Sequence, residues 1–232
     1  MTNKIAVIVA GGKGRRMMSD VPKQFLLLNN KPVLMHTIEA FARFDKQMEI
    51  VLVLPADDMH YWQSLCEQHS FGITHRLVAG GAERFGSVLN ALNTIDLDSG
   101  IVAIHDGVRP LVSNESIARC FAMAHARKTA IPVVDAVDSL RMMSDGGSVS
   151  VDRSKYKMVQ TPQVFDLQLL KAAYACHFNP LFTDDASVVE SYLAQQTTDI
   201  KIELVDGNRE NIKITSPMDI AIAECLLSLK KI

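Results

Sequence analysis

The residues best suited to chemistry form a run of glycines and basic side chains directly after the first apolar segment. The run is Ala10-Gly11-Gly12-Lys13-Gly14-Arg15-Arg16-Met17. Three glycines in four positions let the backbone turn sharply and bring its N–H groups close to an anion. The run lacks the last glycine of a dinucleotide fingerprint and the Gly-Lys-Ser/Thr end of a Walker loop. It predicts another type of phosphate-binding loop, and the alternative is a strand-to-helix turn with solvated arginines.

A lysine shortly after this loop favours the phosphate-binding interpretation. Pro22 fixes the backbone just before Lys23, so Lys23 can converge with Lys13, Arg15 and Arg16 on one polyphosphate. Nucleophilic attack at phosphorus builds negative charge on the transferred group and on the departing pyrophosphate, and lysine and arginine stabilise such charge. The cluster therefore predicts a site for attack on a polyphosphate.

Two later loops carry further candidates. Gly80-Gly81 allows close backbone contact with a flat base, and the hydroxyl of Ser87 could read its edge; the alternative is an ordinary turn into a helix. Asp106 follows an apolar run and could bind Mg²⁺ or a ligand hydroxyl, or else cap a turn. For His105 we favour a structural role, because no second His or Cys lies at metal-ligand spacing.

Two segments nearer the C-terminus are also polar and patterned. Asn211-Ile212-Lys213-Ile214-Thr215 predicts a short strand that places Lys213 and Thr215 on one face. Thr183-Asp184-Asp185-Ala186 is typical of a helix N-cap with acidic residues in the first turn, and that structural role suffices to explain it.

The elements that must position these residues follow a strand–helix rhythm. The apolar runs Ile5–Ala10, Glu49–Leu54, His75–Val78 and Gly100–His105 predict strands, each followed by helical spacing or helix-start signals. Their continuous apolar character indicates parallel strands covered on both faces. We predict an α/β fold with a doubly wound, mostly parallel, Rossmann-like sheet, whose ligand lies at the carboxyl ends of the strands. Helices are expected to begin at Pro32, at Ser113 or Asn114, and at Ser216-Pro217.

Residues 137–159 interrupt this rhythm. Two extended segments flank Asp145-Gly146-Gly147, a tight-turn signal, and Val149 and Val151 alternate with serines. We predict a β-hairpin arm. An isolated ribbon is marginally stable in water, so the arm packs either on a second subunit or on its own domain, and the sequence favours neither.

The overall composition excludes several classes of protein. The 232 residues include 24 Lys and Arg, 26 Asp and Glu, and 48% apolar residues, with a net charge of -2. One domain over residues 1–232 is expected. A general binder of nucleic acid or membrane surfaces would need an excess of basic residues, which this chain lacks, so that class is excluded. The run Ile5 to Ala10 is too short for a membrane span of about 18 residues or a secretory signal, so we expect a cytoplasmic protein.

The motifs, taken together and in order, resemble those of the 2-C-methyl-D-erythritol 4-phosphate cytidylyltransferase family, a group of nucleotidyltransferases. The resemblance spans nearly the whole chain and rests on residues 11–17, Pro22-Lys23-Gln24, Gly80-Gly81 through Ser87-Val88, His105 to Pro110, Gln160-Thr161-Pro162-Gln163, Thr183 to Ala186, and Asn211 to Thr215. It implies transfer of CMP from CTP, with Mg²⁺, to the phosphate of methylerythritol phosphate, releasing pyrophosphate, in the non-mevalonate route to isoprenoid precursors.

The resemblance also implies roles for individual residues. Arg16 and Lys23 resemble the family's transition-state stabilisers. Asp106 would contact CTP and either hold the Mg²⁺ or other divalent cation itself or leave it to the CTP phosphates. The residues expected to bind CTP are Ala10, Gly11, Gly12, Lys13, Gly14, Gly81, Ala82 and Ser87. Those expected to position the polyol phosphate are Arg153, Lys213, Arg109, Ser139, Thr183 and Thr215. Two positions depart from the family pattern: Ala82 stands where some members carry an acidic residue, and Ser139 replaces a threonine but keeps the hydroxyl.

The resemblance implies a homodimer in which the arm reaches the neighbouring active site, so that Arg153, with Ser139 and Arg109, contributes in trans. Two alternatives remain for function. A ribitol-5-phosphate cytidylyltransferase performs the same chemistry on another polyol phosphate, although the segments Val151-Asp152-Arg153 and Thr183 to Ala186 favour methylerythritol phosphate. A non-catalytic nucleotide-binding module would bind CTP without reaction. Such a module would not need every phosphate-facing cation, so the presence of Lys13, Arg16, Lys23 and Lys213 together weighs against it.

Overall fold

The structure is a computed structural model and describes residues 2–11 and 21–229. The predictions made for Gly12, Lys13, Gly14, Arg15 and Arg16 lie outside the described residues. The strands are β1 Lys4–Val9, β2 Leu27–Leu28, β3 Lys31–Pro32, β4 Glu49–Leu54, β5 Arg76–Ala79, β6 Ile101–Asp106, β7 Thr129–Asp135, β8 Leu140–Ser144, β9 Gly147–Val151, β10 Lys157–Val159, β11 Gln163–Asp166 and β12 Leu204–Asp206. The helices are α1 Val33–Phe44, α2 Ala56–Gln68, α3 Arg84–Asn93, α4 Asn114–Arg127, α5 Leu167–Tyr174, α6 Asp185–Leu193 and α7 Pro217–Leu229.

The central sheet has eight strands in the order β10-β7-β11-β6-β1-β4-β5, with β12 also paired to β7. β6, β1, β4 and β5 are mutually parallel, whereas β11 runs antiparallel to both β6 and β7. The four predicted strands are confirmed with shifts of at most one residue at each end. The predicted α/β class with a mostly parallel sheet is likewise confirmed.

The helices form two layers because alternate side chains of each strand point to opposite faces. Ala6 and Ile8 of β1 pack in a core with α1, α2 and α4, and Ile5 and Val7 pack in a second core with α3, α5 and α6. The predicted helix starts are confirmed: α1 follows Pro32, the side chain of Ser113 caps α4, and Pro217 opens α7. No helix in the described part of the chain is long and apolar enough to span a membrane.

The predicted hairpin is present but shorter than residues 137–159. β8 and β9 pair antiparallel, with Ser144 opposite Gly147 across the turn at Asp145-Gly146. Within the described residues they pair with no other strand, and Met142, Met143 and Val149 are exposed. Residues 157–159 instead form β10 of the central sheet, because they find backbone partners along β7. The ribbon is therefore a separate two-stranded unit joined to the sheet.

The prediction of a strand over Asn211–Thr215 is wrong. The segment joins no sheet and is held by isolated hydrogen bonds instead: the Ile214 N–H donates to the Val108 carbonyl at 2.9 Å, and the buried Asn211 amide donates to the Thr161 carbonyl at 2.8 Å. Apolar alternation here reflects burial of Ile214 beneath α7, a tertiary contact that mimics the period of a strand. These bonds nevertheless fix the position of Lys213.

Candidate active site

A cavity of about 220 Å³ lies at the carboxyl ends of β1 and β6. It brings together segments that are far apart in the sequence. The lining residues are Val9, Ala10, Gly11, Lys23, Gln24, Gly81, Ala82, Glu83, Arg84, Ser87, Asp106, Val108 and Lys213. The set includes every described residue predicted to bind CTP, together with Lys23 and Lys213. Lys23 therefore lies at one cavity with the loops that follow the strands, while its predicted convergence with Lys13, Arg15 and Arg16 involves residues outside the described part of the chain.

A larger cleft of about 660 Å³ lies at the opposite edge of the sheet, where β1, β4 and β6 begin. Its basic residue Lys4 is paired with Asp45 at 2.8 Å. Ligands of doubly wound sheets bind at the carboxyl ends of the strands, and the smaller cavity there holds the converging charges. The smaller cavity is therefore the candidate active site.

The loops that line the cavity are pinned by backbone bonds to neighbouring strands. The Ala10 N–H donates to the Val53 carbonyl at 2.9 Å, the Gly80 N–H to Leu54 at 2.8 Å, and the Gly107 N–H to Val9 at 2.8 Å. Each loop thus leaves the sheet in a fixed direction. The site rests on rigid elements, which suits precise positioning of a ligand.

Gly81 lets its loop approach the start of α3 more closely than another residue would. A Cβ at Gly81 would lie 2.8 Å from the backbone carbon of Gly86, closer than non-bonded atoms allow. The Gly81 N–H donates to Ser87 Oγ, and Ser87 Oγ donates to the Glu83 carbonyl, both at 3.1 Å. Ser87 therefore holds the loop against the helix, and its predicted contact with a base remains a prediction.

Asp106 is the electrostatic centre of the cavity. Its Oδ2 lies 3.0 Å from Lys213 Nζ and 3.3 Å from Arg109 Nε, and its Oδ1 lies 3.9 Å from Arg84 Nε. Burial alone would raise the pKa of Asp106, but the charges of Lys213, Arg84 and Arg109 hold that pKa well below its usual range. The carboxylate is thus ionised at neutral pH and gathers three cations.

Arg84 has a second anionic partner that the sequence interpretation missed. Its Nη1 and Nη2 donate to the two carboxylate oxygens of Asp185 at 2.8 and 2.6 Å, and Tyr174 Oη donates to the same carboxylate at 2.7 Å. Burial acts to lower the pKa of Arg84, but the charge of Asp185 raises it above its usual value. Arg84 could have been found in the sequence, because it is the basic residue of the Gly80–Ser87 motif. Nothing near Asp185 in the sequence indicated that it pairs with Arg84.

His105 has the structural role that we favoured for it. It is fully buried, its Nε2 donates to the Arg109 carbonyl at 3.1 Å, and its Nδ1 accepts from Thr161 Oγ1 at 3.0 Å. Thr161 Oγ1 in turn accepts the Asp106 N–H at 3.1 Å. Burial lowers the pKa of His105 to about 4, so the ring is neutral and braces the backbone that carries Asp106.

Four of the described residues predicted to position the acceptor do not line this cavity. Arg153 and Ser139 are exposed near the base of the hairpin, where Arg153 Nη1 donates to the Val137 carbonyl. Thr183 is exposed and precedes the N-cap of α6, which is Asp184. Thr215 Oγ1 donates to Asp219 at 2.9 Å at the start of α7. None of these four residues lines the cavity of its own chain.

Known proteins similar to this chain share its whole length. The family model for 2-C-methyl-D-erythritol 4-phosphate cytidylyltransferase matches residues 4–229. The enzyme of that name from Bacteroides fragilis is 54% identical over 224 residues, which make up 97% of this chain and 99% of that protein. The one from Bacteroides thetaiotaomicron is 52% identical over 221 residues, 95% and 98% of the two chains.

The chain belongs to this cytidylyltransferase family. It is therefore a nucleotidyltransferase, as the resemblance implied. A solved structure, the 4-diphosphocytidyl-2C-methyl-D-erythritol synthase from Anaerococcus prevotii, matches the fold with a TM-score of 0.82 at 30% identity, covering 98% of this chain and 96% of that one. This cytidylyltransferase therefore shares its fold with a solved relative.

The neutral state of His105 predicts a pH dependence of stability. A histidine whose pKa falls from 6.5 in the unfolded chain to about 4 in the fold resists protonation only in the fold. The free energy of unfolding should therefore fall by about 3 kcal/mol as the pH drops from about 6.5 to about 4. Urea unfolding at a series of pH values measures this slope, and His105→Gln should remove most of it. The exposed His60→Gln is the matched control, and equal slopes for H105Q and the parent would contradict the assignment.

Proposed function

We propose that this cytidylyltransferase transfers CMP from CTP to 2-C-methyl-D-erythritol 4-phosphate in the cavity around Asp106, releasing pyrophosphate. The observation that carries the proposal is the convergence of Lys23, Arg84 and Lys213 on one cavity of a chain whose net charge is -2. Two polyanionic substrates repel each other, and bringing them together requires such local positive charge.

The reaction needs charge stabilisation more than acid or base catalysis. An oxygen of the acceptor phosphate attacks the α-phosphorus of CTP, a P–O bond to the acceptor forms, and the bond to pyrophosphate breaks. The acceptor is already a phosphate dianion, so no general base is required. Lys23 and Arg16 are proposed to stabilise the charge on the α-phosphate and on the leaving group. The neutral, fully hydrogen-bonded ring of His105 accords with a mechanism that has no histidine base.

The two ends of CTP are proposed to contact different loops. The backbone around Gly81 and Ala82, and the hydroxyl of Ser87, line the side of the cavity suited to the base. Ala10 and Gly11 lead into the glycine-rich loop proposed for the phosphates. Lys213 and Arg109 lie beside Asp106 and are proposed to position the acceptor phosphate.

Mg²⁺ fits the cavity as an ion carried mainly by the nucleotide. The described residues contain no group of three or more metal-ligating side chains, and Asp106 is the buried carboxylate of the cavity. Magnesium commonly binds through one or two carboxylates together with substrate phosphates and water. Asp106 is proposed to hold the ion, which when bound would neutralise charge on the triphosphate.

The remaining acceptor contacts are proposed to come from a second subunit. Arg153 and Ser139 are exposed and outside the cavity of their own chain, and the ribbon presents exposed Met142, Met143 and Val149. An exposed apolar ribbon favours an intermolecular partner. We therefore propose a homodimer in which the arm delivers Arg153 and Ser139 to the neighbouring site. Thr183 and Thr215 are proposed to assist on the acceptor side.

A substrate panel tests the proposed reaction. The purified protein with Mg²⁺ should release pyrophosphate fastest from CTP in the presence of 2-C-methyl-D-erythritol 4-phosphate, compared with the other nucleoside triphosphates and with ribitol 5-phosphate. The measurement is a coupled pyrophosphate assay. Faster turnover with ribitol 5-phosphate would select that activity instead, and binding of CTP without turnover of either acceptor would make the protein a binding module.

Lys23→Ala should lower kcat by about 10²–10³-fold, because a cation that stabilises charge in the transition state is lost. Binding of CTP, measured by calorimetry, should weaken much less. Lys31→Ala is the matched control, since Lys31 pairs with Glu39 at 2.7 Å outside the cavity and a surface pair is worth roughly 0–1 kcal/mol. A kcat for K23A within a few-fold of the parent's, as expected for the loss of an ordinary surface ion pair, would exclude Lys23 from the mechanism.

Mixing two inactive variants tests the contribution in trans. In a mixed dimer of Arg153→Ala and Lys213→Ala chains, one site keeps both Lys213 of its own chain and Arg153 of the other. After subunit exchange, activity should recover to about a quarter of the parent's, because half of randomly formed dimers are mixed and each has one intact site. K23A mixed with K213A is the control without recovery. Absence of recovery in the R153A and K213A mixture would place Arg153 in its own chain's site or outside the mechanism.

A further inference from the structure

Beside the active site lies an ion pair whose buried acidic member, Asp185, has no part in the proposed mechanism. The side chain of Asp185, in the first turn of α6, is fully buried, and both its oxygens accept from Arg84. Tyr174 of α5 donates to the same carboxylate. Asp185 therefore receives three hydrogen bonds from two other helices.

Hydrogen bonds also hold the residues on either side of Asp185. The neighbouring Asp184 caps α6 in a reciprocal arrangement with Ser187. The Gln163 side chain donates to Asp184 at 2.7 Å and accepts the Ala186 N–H at 2.8 Å. Because Gln163 belongs to β11, which pairs with β6 next to Asp106, the start of α6 is fixed relative to the active-site strand.

The orientation of Arg84 follows from this arrangement. Asp185 occupies both terminal nitrogens of the guanidinium, and only Nε faces Asp106, at 3.9 Å from Oδ1. An arginine free of Asp185 would form a bidentate pair with the nearest other carboxylate, which is Asp106. Such a pair would compete with Lys213, whose Nζ lies 3.0 Å from Oδ2, and would fill the cavity with the guanidinium.

We propose that Asp185 is a positioning residue of the cytidylyltransferase, which holds Arg84 so that its charge supports Asp106 while the carboxylate stays open to Lys213, Arg109 and the substrates. The inference rests on the proposed function of the cavity and adds a residue to it. It also ties the Thr183–Ala186 segment to the Gly81–Ser87 loop, because Arg84 lies within that loop region and Asp185 within the other. The pair thereby fixes the loop proposed to contact the base of CTP relative to the segment proposed to lie on the acceptor side.

A purely structural role would not require this pair. Replacement of buried ion pairs by neutral side chains is often without cost to stability, whereas removal of one partner leaves an uncompensated charge. The two roles therefore differ in a double variant that removes both charges. Stability should return in it under either role. Activity separates the roles by comparison with Arg84→Leu alone, because a residue that acts through Arg84 adds no further loss once Arg84 is gone.

The test compares Asp185→Asn, Arg84→Leu, the double variant R84L/D185N, and Tyr174→Phe. Tyr174→Phe is the matched control, because it removes one hydrogen bond to the same carboxylate and leaves the ion pair. The measurements are kcat and KM for CTP and for the acceptor, the Kd of CTP by calorimetry with Mg²⁺, and the unfolding temperature. We expect D185N to lower kcat/KM for CTP by about 10²-fold, the scale of a misplaced active-site group.

The double variant should unfold close to the parent's temperature yet keep the loss in kcat/KM, while Y174F should stay near the parent's activity. The inference is overturned if the folded double variant loses clearly more kcat/KM than R84L alone, or if Y174F loses as much as D185N. A parent that releases no pyrophosphate would refute the proposed function. In that event the Kd still decides the inference: D185N should bind CTP about tenfold more weakly, and an unchanged Kd would overturn it.

Discussion

The buried carboxylate of Asp106, surrounded by cations, is the constraint on which the site depends. An ionised carboxylate placed almost out of solvent costs several kcal/mol unless opposite charge compensates it. Here Lys213, Arg109 and Arg84 provide that charge from three separate segments. The same cations that make the buried carboxylate tolerable are those that an anionic substrate would meet. Folding stability and the proposed substrate binding would therefore depend on one set of charges.

The doubly wound sheet explains why these charges can meet. β1 and β6 are adjacent and parallel, with Val9 beside Asp106 in register, so the loops that follow them emerge at the same edge. The Gly80–Ser87 loop arrives there because β5 is parallel to β4, and β4 to β1. Lys213 comes from much later in the chain, through the segment that α7 covers. The topology thus delivers distant residues without any long-range sequence signal.

Hydrogen-bonded groups hold the charged residues in place. The neutral groups His105, Thr161 and the Asp106 backbone N–H form a chain of bonds beneath the carboxylate, and the charged Asp185 holds Arg84 through an ion pair. Preorganised charge of this kind stabilises a developing charge without reorganisation at the moment of reaction. The exposed Arg153 and Ser139 do not line the cavity of their own chain, which is the physical reason for proposing that they act in a neighbouring subunit.

The sequence by itself determined the fold class, the four core strands, the starts of α1, α4 and α7, and the candidate loops. Those features depend on local signals: continuous apolar runs, proline and serine at helix starts, and glycines where the backbone must turn. It also singled out Asp106 from its place at a strand end, Lys23 from its place after the glycine-rich loop, and Lys213 from alternation in its segment, and the likeness to a known family placed all three in one predicted site. It erred at Asn211–Thr215, where alternation arose from burial under a helix and not from strand pairing.

Only the tertiary structure decided the partners of Arg84, the extent of the ribbon and the separation of Arg153 from its own chain's cavity. Arg84 and Asp185 are 101 residues apart, and no local pattern in either segment encodes the pair. Their meeting depends on how α3, α5 and α6 pack on one face of the sheet. Local propensities fix the elements, whereas long-range contacts between charges exist only once those elements have packed.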